Sequence, residues 1–297
     1  MKQSKVWPYL LVLVSGAIWG VTFSIARILT QAGVHPLGLT FWQGFGGGLV
    51  LLAICAARSR WPRLTGLHFK FYVILGLLGT ALPGALFFYA ASHVPAGILA
   101  ITVTTVPLLT YGGAWLLGID RFSVKRMSGI AVGLFAILLL VGPETSLPDR
   151  SMVFWVLVVL VASLFYTFEN IYVAVRVPGG TDMIALLAGM LLVAGLLILP
   201  LVLSLNAFAS FHYPWGKIEW LMLAMMVISS LAYGMFLLAI QMAGPVFASQ
   251  TAYVVTLSGV LWGILLFNES HSVWVWLALG SMLSGLALVT PTQRQTA

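Results

Sequence analysis

The sequence predicts an all-α integral membrane protein of ten transmembrane helices, arranged as two inverted-topology five-helix repeats. Three observations predict it. Of 297 residues, 61% are hydrophobic and 7% are charged, whereas a soluble domain carries about 25% charged residues. Ten apolar stretches run at 7–26, 37–57, 71–91, 97–117, 127–142, 152–175, 183–204, 218–239, 244–267 and 273–290, most of them near the roughly 20 residues that span a bilayer. The starts of the second five are displaced from those of the first five by 145, 146, 147, 147 and 146 residues. A unit that crosses the membrane an odd number of times must be followed by a copy lying upside down. The repeats are expected at 1–145 and 146–297, and such inverted repeats point to a solute carrier.

The first stretch follows Lys2 and Lys5, as a secretory signal would, but it is membrane-length and ends at Arg27 without an Ala-x-Ala site, so it reads as a span. The second holds Cys55, the single cysteine, which excludes an intrachain disulfide and a CxxC centre. Pro83 and Pro107 lie inside the third and fourth stretches. Each removes an intrahelical hydrogen bond, giving either a plain bend or a break beside a cavity. In the copied half the ninth stretch has only Pro245, at its start. The fifth, 127–142, is the shortest and is expected to borrow Pro143 or cross a thinned patch, with nine spans as the other count. A turn-rich run, Gly142 to Arg150, joins the halves.

Small-xxx-small pairs, Gly16–Gly20, Gly44–Gly48, Gly129–Gly133, Gly259–Gly263 and Gly280–Ser284, read as sites where helix backbones approach closely. Trp7, Tyr9, Trp155, Trp215, Trp220, Trp274 and Trp276 stand near span ends as interfacial anchors, while Trp19, Trp42, Trp115 and Trp262 lie deeper.

The net charge of +7 is sorted by side rather than clustered for nucleic acid. With the N-terminus inside, eleven of the fourteen basic residues, Arg294 among them, fall on the cytoplasmic side; Arg27, Arg150 and Lys217 fall outside. Both termini are therefore expected in the cytoplasm. The loop from Arg58 to Lys70 reads either as an ordinary topology signal or as a segment resting on anionic headgroups.

Charge within lipid is costly, and one acid lies well inside a span: Glu169 in the sixth. It is a candidate for taking up a proton or holding an amine, or it reaches toward Arg176 at the span end. Asp120 and Glu269 close the fourth and ninth spans with Arg121 and His271 near enough to pair, and read as boundary markers. The interiors carry neither Lys nor Arg, which argues against phosphorylated cargo. Gln43 and Gln250 each bring an amide that must be satisfied in a dry setting. The sequence has no HExxH pair and no GxSxG elbow, and its five histidines sit at loops or span ends. No enzyme activity, metal or cofactor is expected.

Ala17-Ile18-Trp19-Gly20-Val21-Thr22-Phe23, Phe88-Tyr89-Ala90-Ala91, then Pro107 ahead of Leu117 to Ser123, with Phe267-Asn268-Glu269-Ser270 repeating the acid that ends the fourth span, resemble the drug/metabolite transporter superfamily in its ten-helix EamA-like branch. The sequence departs from that pattern at Asp120, where the family usually has Glu, and at Gln43, where an arginine often stands. The chain is similar to bacterial inner-membrane exporters of amino acids, aromatic ones included. That resemblance implies a central cavity lined by the third, fourth, eighth and ninth spans and gated by the first and sixth.

The expected function is export of amino acids or similar metabolites by alternating access. Trp19, Thr22, Tyr89, Tyr111, Tyr166, Gln250 and Tyr253 are the expected cavity residues, Glu169 the one proton-coupling candidate, and Pro83 and Pro107 the expected hinges. The other reading is a flippase for lipids or lipid carriers, which would call for basic groups that this interior lacks. The partners expected are a small-molecule substrate and membrane lipids, with no nucleic acid, and the chain is expected to act as a monomer.

Overall fold

Over residues 6–243, 248 and 250–289, the computed structural model builds ten long helices. They are α1 (Trp7–Gln31), α2 (Pro36–Ala57), α3 (Gly66–Ala91), α4 (Ala96–Leu116), α5 (Val124–Val141), α6 (Met152–Arg176), α7 (Met183–Ser204), α8 (Lys217–Ala243), α9 (Thr251–Phe267) and α10 (Val273–Val289). The first eight are long and apolar enough to cross a bilayer, and α9 and α10 follow with 17 residues each. The protein is thus a ten-helix integral membrane protein. Lys2, Lys5, Pro245 and Arg294 lie outside the described residues.

Helix starts follow from local chemistry. Pro36 opens α2 behind His35, whose Nδ1 accepts the Leu37 N–H at 3.2 Å. Asp182 caps α7 by accepting from the Ile184 and Ala185 amides at 3.0 and 3.1 Å. Several boundaries differ from the sequence expectation, two helix starts among them. The fifth helix begins at Val124, which gives it 18 residues without Pro143. The third begins at Gly66 behind a Thr65 cap, so part of the basic loop is already helical.

Close approach organises the bundle. A Cβ on Gly44 would lie 3.0 Å from the Gly195 nitrogen, so α2 and α7 meet backbone to backbone, and a Cβ on Gly129 would lie 2.7 Å from the Gly285 carbonyl, so α5 and α10 do the same. Gly280 is exposed with open space around it, so the Gly280–Ser284 pair is not a contact; α10 uses Gly285 instead. Helix α1 lies against α8 and α9, while α6 lies against α3 and α4.

The two prolines coincide with two interruptions. Before Pro83 the chain of α3 widens over Gly76–Ala81, and the Leu82 N–H reaches back five residues to the Leu77 carbonyl. An ordinary turn would press the proline ring against the Gly79 carbonyl, and the wider turn relieves it. Helix α4 is interrupted at Thr104, between Val103, whose carbonyl Pro107 would meet, and Thr105. There the Thr104 hydroxyl donates to the Ala100 carbonyl at 2.8 Å and contacts the Thr256 hydroxyl of α9.

Candidate substrate-binding site

Glu169 of α6 is buried, 5% exposed, and points across the bundle to α8, where the Tyr233 hydroxyl donates to its Oε1 at 2.9 Å. It does not turn toward Arg176, which stands exposed at the end of α6. The Tyr233 ring lies 5.6 Å from Trp19 of α1, and Phe236, one turn along α8, closes the group at 6.2 Å from Trp19. Tyr166 shares the Glu169 face of α6 at a spacing of three residues. Gly79, in the widened turn of α3, is the floor: a Cβ there would lie 2.9 Å from the Glu169 carboxyl carbon. A carboxylate has about four acceptor sites, and among the described residues Tyr233 is the hydrogen-bond donor that Glu169 has. Ser229, buried one turn before Tyr233, has a hydroxyl without a partner among the described residues. One acidic group therefore sits at the helix crossing with unused acceptor capacity, next to an aromatic wall.

A second buried acid closes one end of the bundle. Glu269, between α9 and α10, receives the Arg27 guanidinium of α1 and the Ala96 amide at 2.9 Å on Oε1, and the Gly97 amide at 3.2 Å on Oε2. The two amides are the N-terminus of α4, where helix geometry favours an anion. Gly97 and Gly263 leave room for the carboxylate, since a Cβ on either would lie 3.3 or 2.5 Å from Oε2. His271 stands 3.4 Å away, and burial pushes its pKa below the ordinary value while Glu269 opposes that shift. The expectation that no arginine enters a span is corrected here: α1 continues past Arg27 to Gln31, and the Arg27 side chain is 20% exposed. Glu269 is no boundary marker. Asp120, at the far end of α4, is half-exposed and pairs with Arg126 at 2.8 Å rather than with the Arg121 side chain.

The profile of the EamA-like transporter family matches residues 6–142. A protein of Escherichia coli strain K12 named uncharacterized inner membrane transporter YedA is 31% identical over 286 residues, 92% of this chain and 87% of its own. The chain belongs to the EamA-like transporter family. The uncharacterized transporter YoaV of Bacillus subtilis strain 168 is 28% identical over 159 residues, 52% of this chain and 53% of its own. A solved crystal structure, 20% identical, has the same fold at a TM-score of 0.62, covering 97% of this chain and 98% of its own.

In this EamA-like chain the sequence-derived site residues are spread over four places. Trp19, Tyr166 and Glu169 come together at the centre. Thr22 is one turn from Trp19, its hydroxyl held by the Trp19 carbonyl at 2.6 Å. Gln250 precedes α9 and Tyr253 lies in its first turn, both partly exposed. Tyr89 sits near the Glu269 end, edge-on to His35 at 5.9 Å. Tyr111 does not join them. It is 3% exposed beneath the Arg126 guanidinium, 3.7 Å from its ring, and its hydroxyl donates to the Arg121 carbonyl at 3.1 Å and accepts from the Ser123 amide at 3.0 Å. Those bonds fasten the α4–α5 connection.

Tyr233, Phe236 and Gly79 complete the central group and are not among the cavity residues expected from the sequence. Tyr233 carries a weak signal, a lone tyrosine in an apolar span, and Gly79 carries one in standing four residues before Pro83. Among the described residues, no group of His, Cys, Asp and Glu is disposed to hold a metal.

Proposed function

We propose that this transporter exports amino acids, neutral and aromatic ones foremost, or similar small metabolites, across a bacterial inner membrane by alternating access. The observation that carries the proposal is the buried Glu169 carboxylate with one phenolic donor among the described residues, flanked by Trp19, Tyr233 and Phe236. An ammonium group fills the unused acceptor sites of Glu169, while the faces of Trp19 and Phe236 pack an apolar side chain. Because a bound amine and a proton compete for the same carboxylate, Glu169 is also the proton-coupling group.

In this proposal residues 1–145 and 146–297 are the two inverted halves. Its support lies in which helices are neighbours: α2 meets α7, α5 meets α10 and α4 meets α9, each helix against its counterpart, and the seating of α1 on α8 and α9 is matched by that of α6 on α3 and α4. The rocking of the halves opens and closes the two ends around Glu169, with the interruptions before Pro83 and at Thr104 as hinges. The Arg27–Glu269 contact is the closure of the outer end, and the basic end carrying Arg58, Arg121 and Arg126 faces the cytoplasm.

Proteoliposomes test this with radiolabelled phenylalanine, tryptophan, threonine and methionine, with and without a pH gradient. Glu169→Gln is expected to cut flux about tenfold or more, the loss of a charge-assisted hydrogen bond. Flux that stays at the wild-type level in Glu169→Gln removes this residue from the mechanism, and the absence of flux for every amino acid in the panel removes the substrate class.

A further inference from the structure

At the end opposite Glu269, the α2–α3 connection (residues 58–65) and the α6–α7 connection (177–182) border an open pocket of about 220 Å³ lined by Arg60, Trp61, Arg63, Gly180, Thr181 and Asp182. Its one acid is already engaged. Asp182 caps α7 and pairs with Arg58 at 3.1 Å, so that side chain adds no free negative charge. The Thr181 hydroxyl is likewise held, by the Pro178 carbonyl at 2.7 Å and His68 at 3.0 Å. Arg60 and Arg63 are exposed and form no ion pair among the described residues. Two arginines without an ion-pair partner among the described residues therefore line one small pocket.

Beside them runs an apolar edge with no protein over it. Trp61 is 60% exposed, Leu64 84%, Leu67 64% and Phe69 56%. On a membrane protein, such an edge next to arginines is where acyl chains give way to headgroups: aromatic and aliphatic groups settle into the interface, and the guanidiniums meet phosphate in a planar, two-pronged fit. A signal that only orients the chain needs charge, but neither a pocket nor an apolar border.

We propose that this pocket binds the phosphate of an anionic phospholipid, held by Arg60 and Arg63, with Trp61 and Leu64 against the upper acyl chains. The proposal is independent of the cargo. It is tested by native mass spectrometry of the purified full-length protein, exchanged into detergent containing phosphatidylglycerol or phosphatidylcholine. Phosphatidylglycerol is expected to stay bound and phosphatidylcholine to be lost. Arg60→Gln/Arg63→Gln should reduce phosphatidylglycerol retention about tenfold or more, since each basic residue near an anionic surface contributes about fivefold. Arg60→Lys/Arg63→Lys, which keeps the charge but not the fork, should fall between. Arg121→Gln/Lys125→Gln, at the same end but outside the pocket, should retain lipid as the wild type does. Equal loss in that control, or unchanged retention in Arg60→Gln/Arg63→Gln, overturns the site. Displacement of the lipid by inorganic phosphate alone overturns the lipid as its occupant.

Discussion

The Glu169 residue and the Glu269 side chain are each 5% exposed, yet they are partnered in opposite ways. Glu269 is filled: a guanidinium, two amides at a helix N-terminus and a neighbouring histidine surround it. Glu169 has one phenol and, among the described residues, no cation. Burial of a charge is tolerated only when partners replace water. A carboxylate whose acceptor sites are filled by the protein holds helices together, and one left with open sites is available to something that is not protein. The same residue type, its side chain withdrawn from water at both places, thus has two uses, told apart by its donors.

The contrast breaks first at Arg27. Arg27→Met strands a buried carboxylate and is expected to cost about 3–5 kcal/mol, read as a fall in the apparent melting temperature in detergent. Asp120→Asn, which removes a pair open to solvent, should cost about 0–1 kcal/mol. If the two variants melt alike, Glu269 is not the tie between α1, α4 and α9 described above.

A sharper probe of the central site is Gly79→Ala. Its Cβ would lie 2.9 to 3.2 Å from three carbons of the Glu169 side chain, so the carboxylate must shift, at about 1–3 kcal/mol. Transport should suffer with stability, and an alanine protein with wild-type melting and flux would show that Glu169 does not rest on that turn.

Glu169→Gln keeps an acceptor for Tyr233 and removes a buried ionisable group, so its stability should stay within about 1 kcal/mol of wild type or rise. A loss comparable to that of Arg27→Met would mean that Glu169 is structural after all, and the comparison would fail.

The smallest effect is the pH response of His271. Because burial lowers its folded-state pKa below the ordinary 6.5, the unfolded chain binds the proton more readily than the folded one. Its contribution to stability is complete above about pH 6.5 and is lost as pH falls below that value. Melting curves between pH 7.5 and about 5 should show a decline that is shallower in His271→Asn; identical slopes would deny the histidine this role.

How much of this could be read beforehand depends on range. The spans were legible because a bilayer imposes a length and an apolar composition on each segment locally. Glu169 was legible because an acid within an apolar run stands out on cost alone. Tyr111 misled: a tyrosine at depth reads as cavity lining, and its hydroxyl turned out to serve a loop ten residues on. Tyr233 is 64 residues from Glu169 and Arg27 is 242 from Glu269, and nothing local links either pair.

The sequence by itself therefore determined the solvent this chain lives in, the helices it makes and the cost of its single deep acid, since each is a property of a contiguous stretch weighed against hydrocarbon. Only the tertiary structure decided which acid is filled and which is left open. Hydrogen-bond partners are fixed by which helix faces pack together, and that is settled by backbone approach between segments far apart along the chain.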